Sequence, residues 1–192
     1  MNESTPQLKE SIMNTRELAS LFQRYGVDMS AYGVGKAKTL DQLLQEINAG
    51  ESSLVVENGE LIRIVNIISV DVYFERVPGE RLRLRMEYQQ FSDGRTRVRE
   101  NDFGAVSGKM KPNESVEDAI ARELGEEIKA CEYQLEGIQT PIVNTRTSPS
   151  YPGISSRYTE NYATAIIPPS MYRVSYEETQ DGVTSHFSWV EA

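Results

Sequence analysis

A mixed α/β or α+β chain with a sheet at its centre is what this sequence predicts, and three observations predict it. The run Leu61 to Phe74 is dense in Ile and Val, as suits a long strand buried on at least one face. One strongly amphipathic segment, Val116 to about Ile128, has helical spacing, and strand-like segments flank it on both sides. With 192 residues, 39% hydrophobic and 26% charged, the chain can build a packed core, and its length fits one domain with a modest extension.

In order along the chain, Thr15 is placed to cap a first helix in which Leu18, Leu21 and Phe22 share a face. Tyr32-Gly33-Val34-Gly35-Lys36 is a glycine-rich break. It lacks the G-x4-G-K-[ST] spacing of a phosphate loop and reads as an interhelical turn. A second helix starts at Thr39, runs through Leu40, Leu43, Leu44 and Ile47, and stops near Gly50. Residues 1–52 therefore form a small helical extension, too short to bury a core alone, which packs on the domain spanning 53–192 or mediates association, a homodimer included. After the long strand, Val77 to Glu80 turns the chain, and Leu82 to Tyr88 alternates as a half-buried partner. Asp93-Gly94 is a hairpin signal, with Thr96 to Arg99 and Phe103 to Val106 as short strands. Arg95, Arg97 and Arg99 alternate and so share one face, where they could hold an anion or be solvated. Beyond the central helix, Tyr133–Thr145, Arg157–Ile167 and Val183–Val190 read as strands.

Composition removes several function classes. A single cysteine, Cys131, excludes an internal disulfide and a Cys-rich zinc site, and it reads as a small buried residue. A single histidine, His186, excludes His-paired metal sites and weighs against a Ser-His or Cys-His triad; His186 and Trp189 read as packing residues. No apolar run approaches the ~20 residues that span a bilayer, and the N-terminus lacks the order of a secretory signal. The net charge of −9 weighs against a non-specific nucleic-acid coat. The expectation is a cytoplasmic protein with a small-molecule substrate and no membrane partner.

The chemistry lies between Gly108 and Ala130. Ser115 is a good N-cap, with Asp118 three residues on, so a helix begins at Val116. Val116, Ile120, Leu124 and Ile128 form its buried stripe, whereas Glu123, Glu126 and Glu127 share another face. Three carboxylates there repel one another near the end of the helix least suited to negative charge. A divalent cation reverses that penalty, and hard oxygen ligands suit Mg²⁺ or Mn²⁺.

This segment resembles the Nudix hydrolases, whose signature is G-x5-E-x7-R-E-U-x-E-E-x-G-U with U aliphatic. Gly108, Glu114, Arg122, Glu123, Leu124, Glu126 and Glu127 match it, Ala130 fills the last aliphatic slot loosely, and Lys129 stands where the family has glycine. At roughly one chance in fifteen per fixed residue, six identities at set spacing arise about once in 10⁷ windows.

The resemblance implies an α/β/α sandwich with a mixed sheet, and hydrolysis of a nucleoside diphosphate linked to another group by water attack on phosphorus. It implies Glu123, Glu126 and Glu127 as metal ligands, Glu114 as a further ligand or supporting group, and one carboxylate of the set as base. Arg122 would orient a box glutamate, and Gly108 would shape the loop against the substrate. The stretch Thr147 to Tyr158 carries Pro152-Gly153 and looks like the loop that follows the box in ADP-ribose and ADP-sugar members. If it reaches the site, Tyr151 stacks on a base and Arg157 pairs with phosphate. ADP-ribose or a nucleotide sugar is thus favoured. The alternatives are a nucleotide-binding or regulatory module without turnover, or a hydrolase of dinucleoside polyphosphates or capped RNA. Lys129 touches folding more than chemistry, because that glycine commonly takes a left-handed conformation at a helix end.

Overall fold

The computed structural model describes residues 14–98, 104–180 and 182–192. Its helices are α1 (Thr15–Arg24), α2 (Leu40–Asn48) and α3 (Val116–Ile128). Its strands are β1 (Ser53–Glu57), β2 (Glu60–Val77), β3 (Glu80–Phe91), β4 (Thr96–Val98) and β5 (Val106–Lys109), then β6 (Gln134–Ile138), β7 (Ile142–Ser148), β8 (Tyr151–Ile167), β9 (Ser175–Gln180) and β10 (Val183–Glu191). The strands hydrogen-bond in the order β6-β8-β2-β3-β10-β9, with β1 and β5 on β2, β4 on β3 and β7 on β8. The class is thus the expected mixed α+β, with a large sheet and few helices. Among the described residues no helix is long and apolar enough to cross a membrane.

The described chain divides into two compact units, with β2 and β8 running through both. The first comprises residues up to 66, 109–113 and 142–160, so the expected boundary at 52/53 does not separate the compact units. The helices explain why. Leu18, Leu21 and Phe22 of α1 and Leu43 of α2 have too little apolar surface to close a core, and they bury it with Leu54, Leu61, Tyr151 and Ile154. Asn14, not Thr15, caps α1. Its side chain accepts from the Glu17 N–H, and Glu17 accepts from the Asn14 N–H, each at 3.0 Å, while Thr15 donates its hydroxyl to Asp41. The helix expected to start at Thr39 is α2, with Thr39 as its cap and Leu40 its first helical residue, and Tyr32 to Lys36 turns with Gly33 and Gly35 at positive φ.

β1 is a strand beyond those expected, although its signal is local. Asn58 and Gly59 both have positive φ, closing a two-residue hairpin that pairs Glu57 with Glu60. The expected strand Tyr133–Thr145 is two strands, because Gln139-Thr140-Pro141 interrupts it and proline cannot donate to a ladder. The expected loop before Tyr158 is instead a tight hairpin between β7 and β8, and Pro152-Gly153 lies within β8. Gly153 has φ +83°, and a Cβ there would stand 2.9 Å from the Asp28 carbonyl oxygen, so both backbone and space call for glycine.

One buried acid organises this unit. Glu46 of α2 takes Arg63 Nη2 at 2.6 Å, Lys38 Nζ at 2.7 Å and Lys109 Nζ at 2.8 Å. The Arg63 guanidinium, itself buried, lies 4.7 Å over the Tyr151 ring. Burial alone would raise the Glu46 carboxyl, but the hydrogen bonds and charges of Lys109 and Lys38 outweigh it and hold the pKa at about 2.

The second unit comprises 67–108, 114–141 and 161–192. Its sheet pairs β3 with β10 and β10 with β9, both antiparallel, with a bulge at His186/Phe187. His186 stacks on Tyr88 at 4.3 Å and meets Glu177, and Trp189 Nε1 donates to the Arg173 carbonyl, so both pack as expected. The expected strand from Phe103 is β5, which begins at Val106; Phe103 and Arg99 lie outside the described residues. Arg95 and Arg97 both lie over the Phe91 ring, and they are held by Asp93 and Gln89 respectively.

The Glu46 arrangement sets a pH dependence. Its folded pKa lies below the ordinary value of 4.5, so its stabilisation is complete above pH 4.5 and is lost as pH falls toward about 2. Glu46→Gln removes that acid-side dependence and costs about 3–5 kcal/mol at neutral pH, because Arg63 stays buried without its counter-charge. Urea unfolding at a series of pH values measures both.

Candidate metal and diphosphate site

Helix α3 forms where the sequence places it. The Ser115 hydroxyl accepts from the Asp118 N–H at 3.1 Å and donates to the Asp118 carboxylate at 2.7 Å. Ala119, Ile120, Leu124 and Ile128 are buried, and Val116 is only partly so. The acidic residues divide. Glu123 is buried with 6% of its surface exposed, Glu126 is exposed and Glu127 lies between. Glu123 therefore belongs to the packed side of the helix, not to an open acidic face.

Two neighbours make that burial tolerable. Gly108, in strand β5 and not in a loop, leaves a notch for the carboxylate: a Cβ at Gly108 would fall 1.9 Å from Glu123 Oε1 and 2.3 Å from its carboxyl carbon. Arg122 supplies the counter-charge. Its Nη1 donates to Glu123 Oε1 at 2.6 Å and to Glu126 Oε2 at 3.3 Å. Its Nε and Nη2 donate to the two oxygens of Glu114 at 2.7 and 2.9 Å, a fork-to-fork pair. Glu127 Oε1 accepts from the Ser107 N–H at 3.1 Å, which fixes it against β5. Burial pushes the Glu123 carboxyl above its ordinary range, with Glu126 and Glu114 adding to the rise and Arg122 opposing it. Hydrogen bonds from Arg122 to Glu114 and Glu123 raise the guanidinium further, so it stays charged.

Gly108, Glu114, Arg122, Glu123 and Glu126 thus form one connected cluster between β5 and α3, and Glu127 is held beside it by the Ser107 N–H. Among the described residues no three His, Cys, Asp or Glu side chains stand close enough together to enclose an ion as they are. Glu123 and Glu126 instead converge on one guanidinium nitrogen. Carboxylate oxygens are hard donors, the kind that a hard divalent cation would take.

Helix α3 ends at Ile128 because Lys129 takes the left-handed conformation, φ 58°, ψ 25°. The sequence left open whether lysine would end the helix or extend it. It ends it, with the Ala130 N–H on the Leu124 carbonyl at 3.1 Å and Lys129 Nζ on the Glu126 carbonyl at 2.6 Å. The Nζ contact satisfies a carbonyl that the helix terminus leaves open and brings a cation to its negative end. Cys131 is exposed rather than buried, with its Sγ 3.8 Å from Met171 Sδ.

Of the three residues assigned to substrate contacts, Gly108 lies against Glu123 in the cluster, whereas Tyr151 and Arg157 are engaged elsewhere. Tyr151 is 1% exposed in the core of the first unit, so its ring is not offered to a base. It is buried because β8 starts six residues earlier than the sequence suggested. Burial and the nearby Glu46 carboxylate push its phenol well above the ordinary value. Arg157 forms a two-toothed ion pair with Glu57, at 2.8 and 2.5 Å, on the same unit.

No family model matches this chain, and no curated protein matches it. Among solved structures it is similar to an Ap4A hydrolase from C. elegans, at 14% identity and a TM-score of 0.40, over 67% of this chain and 80% of that one. A likeness of this degree leaves function to the residues of the site.

Two substitutions test the local account. Gly108→Ala forces the pinned Glu123 carboxylate or strand β5 to move, and lowers stability in chemical denaturation by about 1–3 kcal/mol. Lys129→Gly relieves the left-handed strain and raises stability by about 1 kcal/mol, less the share lost with the Nζ contact.

Proposed function

We propose that the chain is a divalent-metal-dependent hydrolase of the Nudix type, acting on a nucleoside diphosphate linked to another moiety. The observation that carries this reading is the convergence of the box residues. Positions scattered from Gly108 to Glu126 meet in one cluster of hydrogen bonds and close packing, with Glu127 held beside it by the Ser107 N–H, which a chance match of spacing has no reason to produce.

In this reading Glu123, Glu126 and Glu127 hold Mg²⁺ or Mn²⁺, with Glu114 as a further ligand or support. Bound there, the ion would supply positive charge toward the diphosphate oxygens and lower the pKa of a bound water. The protein's own part is orientation. The Gly108 notch seats Glu123, Ser107 holds Glu127 through its backbone N–H, and Arg122 keeps Glu114 and Glu123 aligned while limiting their mutual repulsion. One carboxylate of the set takes the proton of the attacking water. A chain of net charge −9 needs such local cations to receive a diphosphate at all.

ADP-ribose and nucleotide sugars remain in the reading, but with Tyr151 and Arg157 engaged elsewhere the preference for them weakens. Dinucleoside polyphosphates and capped RNA belong in the same comparison. A second reading, a module that binds nucleotides without turnover, is favoured by the way Arg122 already neutralises the carboxylates.

A panel of these compounds, incubated with Mg²⁺ or Mn²⁺ and with chelator, separates the two. Turnover that requires the metal supports the hydrolase, and binding without product supports the module. In the hydrolase case Glu126→Gln and Glu127→Gln each lower turnover by at least about 10²-fold with unchanged circular dichroism, because charge and not volume is removed. Full activity in both variants rejects the metal assignment.

A further inference from the structure

Strand β5, which carries Ser107 and Gly108, is only four residues long and hydrogen-bonds to β2. A ladder that short offers little resistance to slipping by one residue, and such a slip turns every side chain to the opposite face. Just ahead of β5 the chain is held by a separate set of contacts, all among residues of the second unit. The Gly104 N–H donates to Asp71 Oδ1, on β2, at 3.0 Å. Arg83 Nη2, on β3, lies 3.3 Å from the same oxygen, so the acceptor is itself held from the neighbouring strand. Gly104 has φ +62°, and a Cβ there would stand 2.5 Å from Ser69 Cβ and 3.2 Å from its Cα, so backbone and space both call for glycine. Ala105 and Val106 follow it into the core, both buried.

We infer that Asp71 and Gly104 lock the register of β5, and that both are positioning residues for the candidate metal site. One N–H on one carboxylate oxygen, and one glycine against one serine, are satisfied together in a single register. Three residues on, the Ser107 N–H holds Glu127, and one residue further Gly108 leaves the notch for Glu123. At about 3.3 Å per residue, the lock lies within about 13 Å of that notch along the chain. A slip of β5 would draw the Ser107 donor away from Glu127 and bring a residue with a Cβ to the place where Gly108 admits the carboxylate. Groups that only support metal ligands commonly alter metal affinity by roughly 10–100-fold, so a lock of this kind has leverage on the site. The lock stands on the contacts alone, and its effect on a metal rests on the reading proposed above.

The test uses the full chain and two readouts. Hydrogen exchange resolved amide by amide with NMR reports the lock at Gly104 and its reach at Ser107. Mn²⁺ titration followed by electron paramagnetic resonance reports the effect on the site. Asp71→Ala removes the acceptor, Asp71→Asn keeps an oxygen for the Gly104 N–H without the charge, and Gly104→Ala breaks the fit to Ser69. Glu80→Gln, which breaks the exposed Arg76–Glu80 pair where β2 turns into β3, is the control. The expected result in Asp71→Ala is exchange about 10-fold faster at Gly104 and Ser107 with the β10 amides unchanged, and Mn²⁺ binding weaker by about 10-fold. Gly104→Ala shifts Ser107 exchange and Mn²⁺ affinity in the same directions, Asp71→Asn shifts them less, and Glu80→Gln leaves all of them unchanged. Should Asp71→Ala fail to fold, the other two variants decide by the same readings. Unchanged exchange at Gly104 and Ser107 overturns the lock. Faster exchange with unchanged Mn²⁺ affinity, or equal acceleration throughout β10, overturns the positioning role. Absence of Mn²⁺ binding in the unaltered chain overturns the metal reading and the positioning role with it, while exchange at Gly104 and Ser107 still decides the lock.

Discussion

A guanidinium shared among three carboxylates is the constraint on which the box region depends. Glu123 is carried on the packed side of α3, where an ionised acid is costly unless it is both paired and hydrogen-bonded. Arg122 meets that requirement with a group that cannot be deprotonated and whose flat fork holds Glu114 at the same time. Lysine could neutralise one acid but could not span two in fixed geometry. The first unit solves the same problem with Arg63, Lys38 and Lys109 around Glu46. In both places an acid taken out of water is held by cationic side chains gathered around it.

The parts of this fold legible in the sequence were those fixed by local chemistry. The Ser115 cap, the four-residue apolar period of α3, the start of α2 at Thr39 and the Ile/Val density of β2 each act within a few residues. The structure departs from its sequence pattern where the deciding partner is distant along the chain. Tyr151 lies in a stretch rich in Ser, Pro and Gly that reads as a loop, and it is drawn into a strand by a core assembled from Leu18, Phe22 and Leu54. Pro152-Gly153 reads as a turn, yet Gly153 is required by the approach of the Asp28 backbone more than a hundred positions away. The missed strand β1 is different. Asn58-Gly59 was a readable hairpin signal beside a short apolar run.

The candidate site shows the same division. Its members were legible because six of them stand at fixed spacing, but their division of labour was not. Helical geometry placed Glu123, Glu126 and Glu127 on one side, whereas the structure buries the first, exposes the second and ties the third to the Ser107 backbone. The reason is β5, whose glycine admits a carboxylate at close range. No spacing rule within the helix contains that information, since it depends on a strand reached through a loop.

The lone thiol of the chain has a practical use. Cys131 is solvent-facing two residues beyond the left-handed lysine that closes the acidic helix. A maleimide dye or spin label therefore attaches at a single known address without any engineered cysteine. Such a reporter would sit beside the end of the helix that bears Glu126 and Glu127, so changes in ordering there could be followed optically in the unmodified sequence.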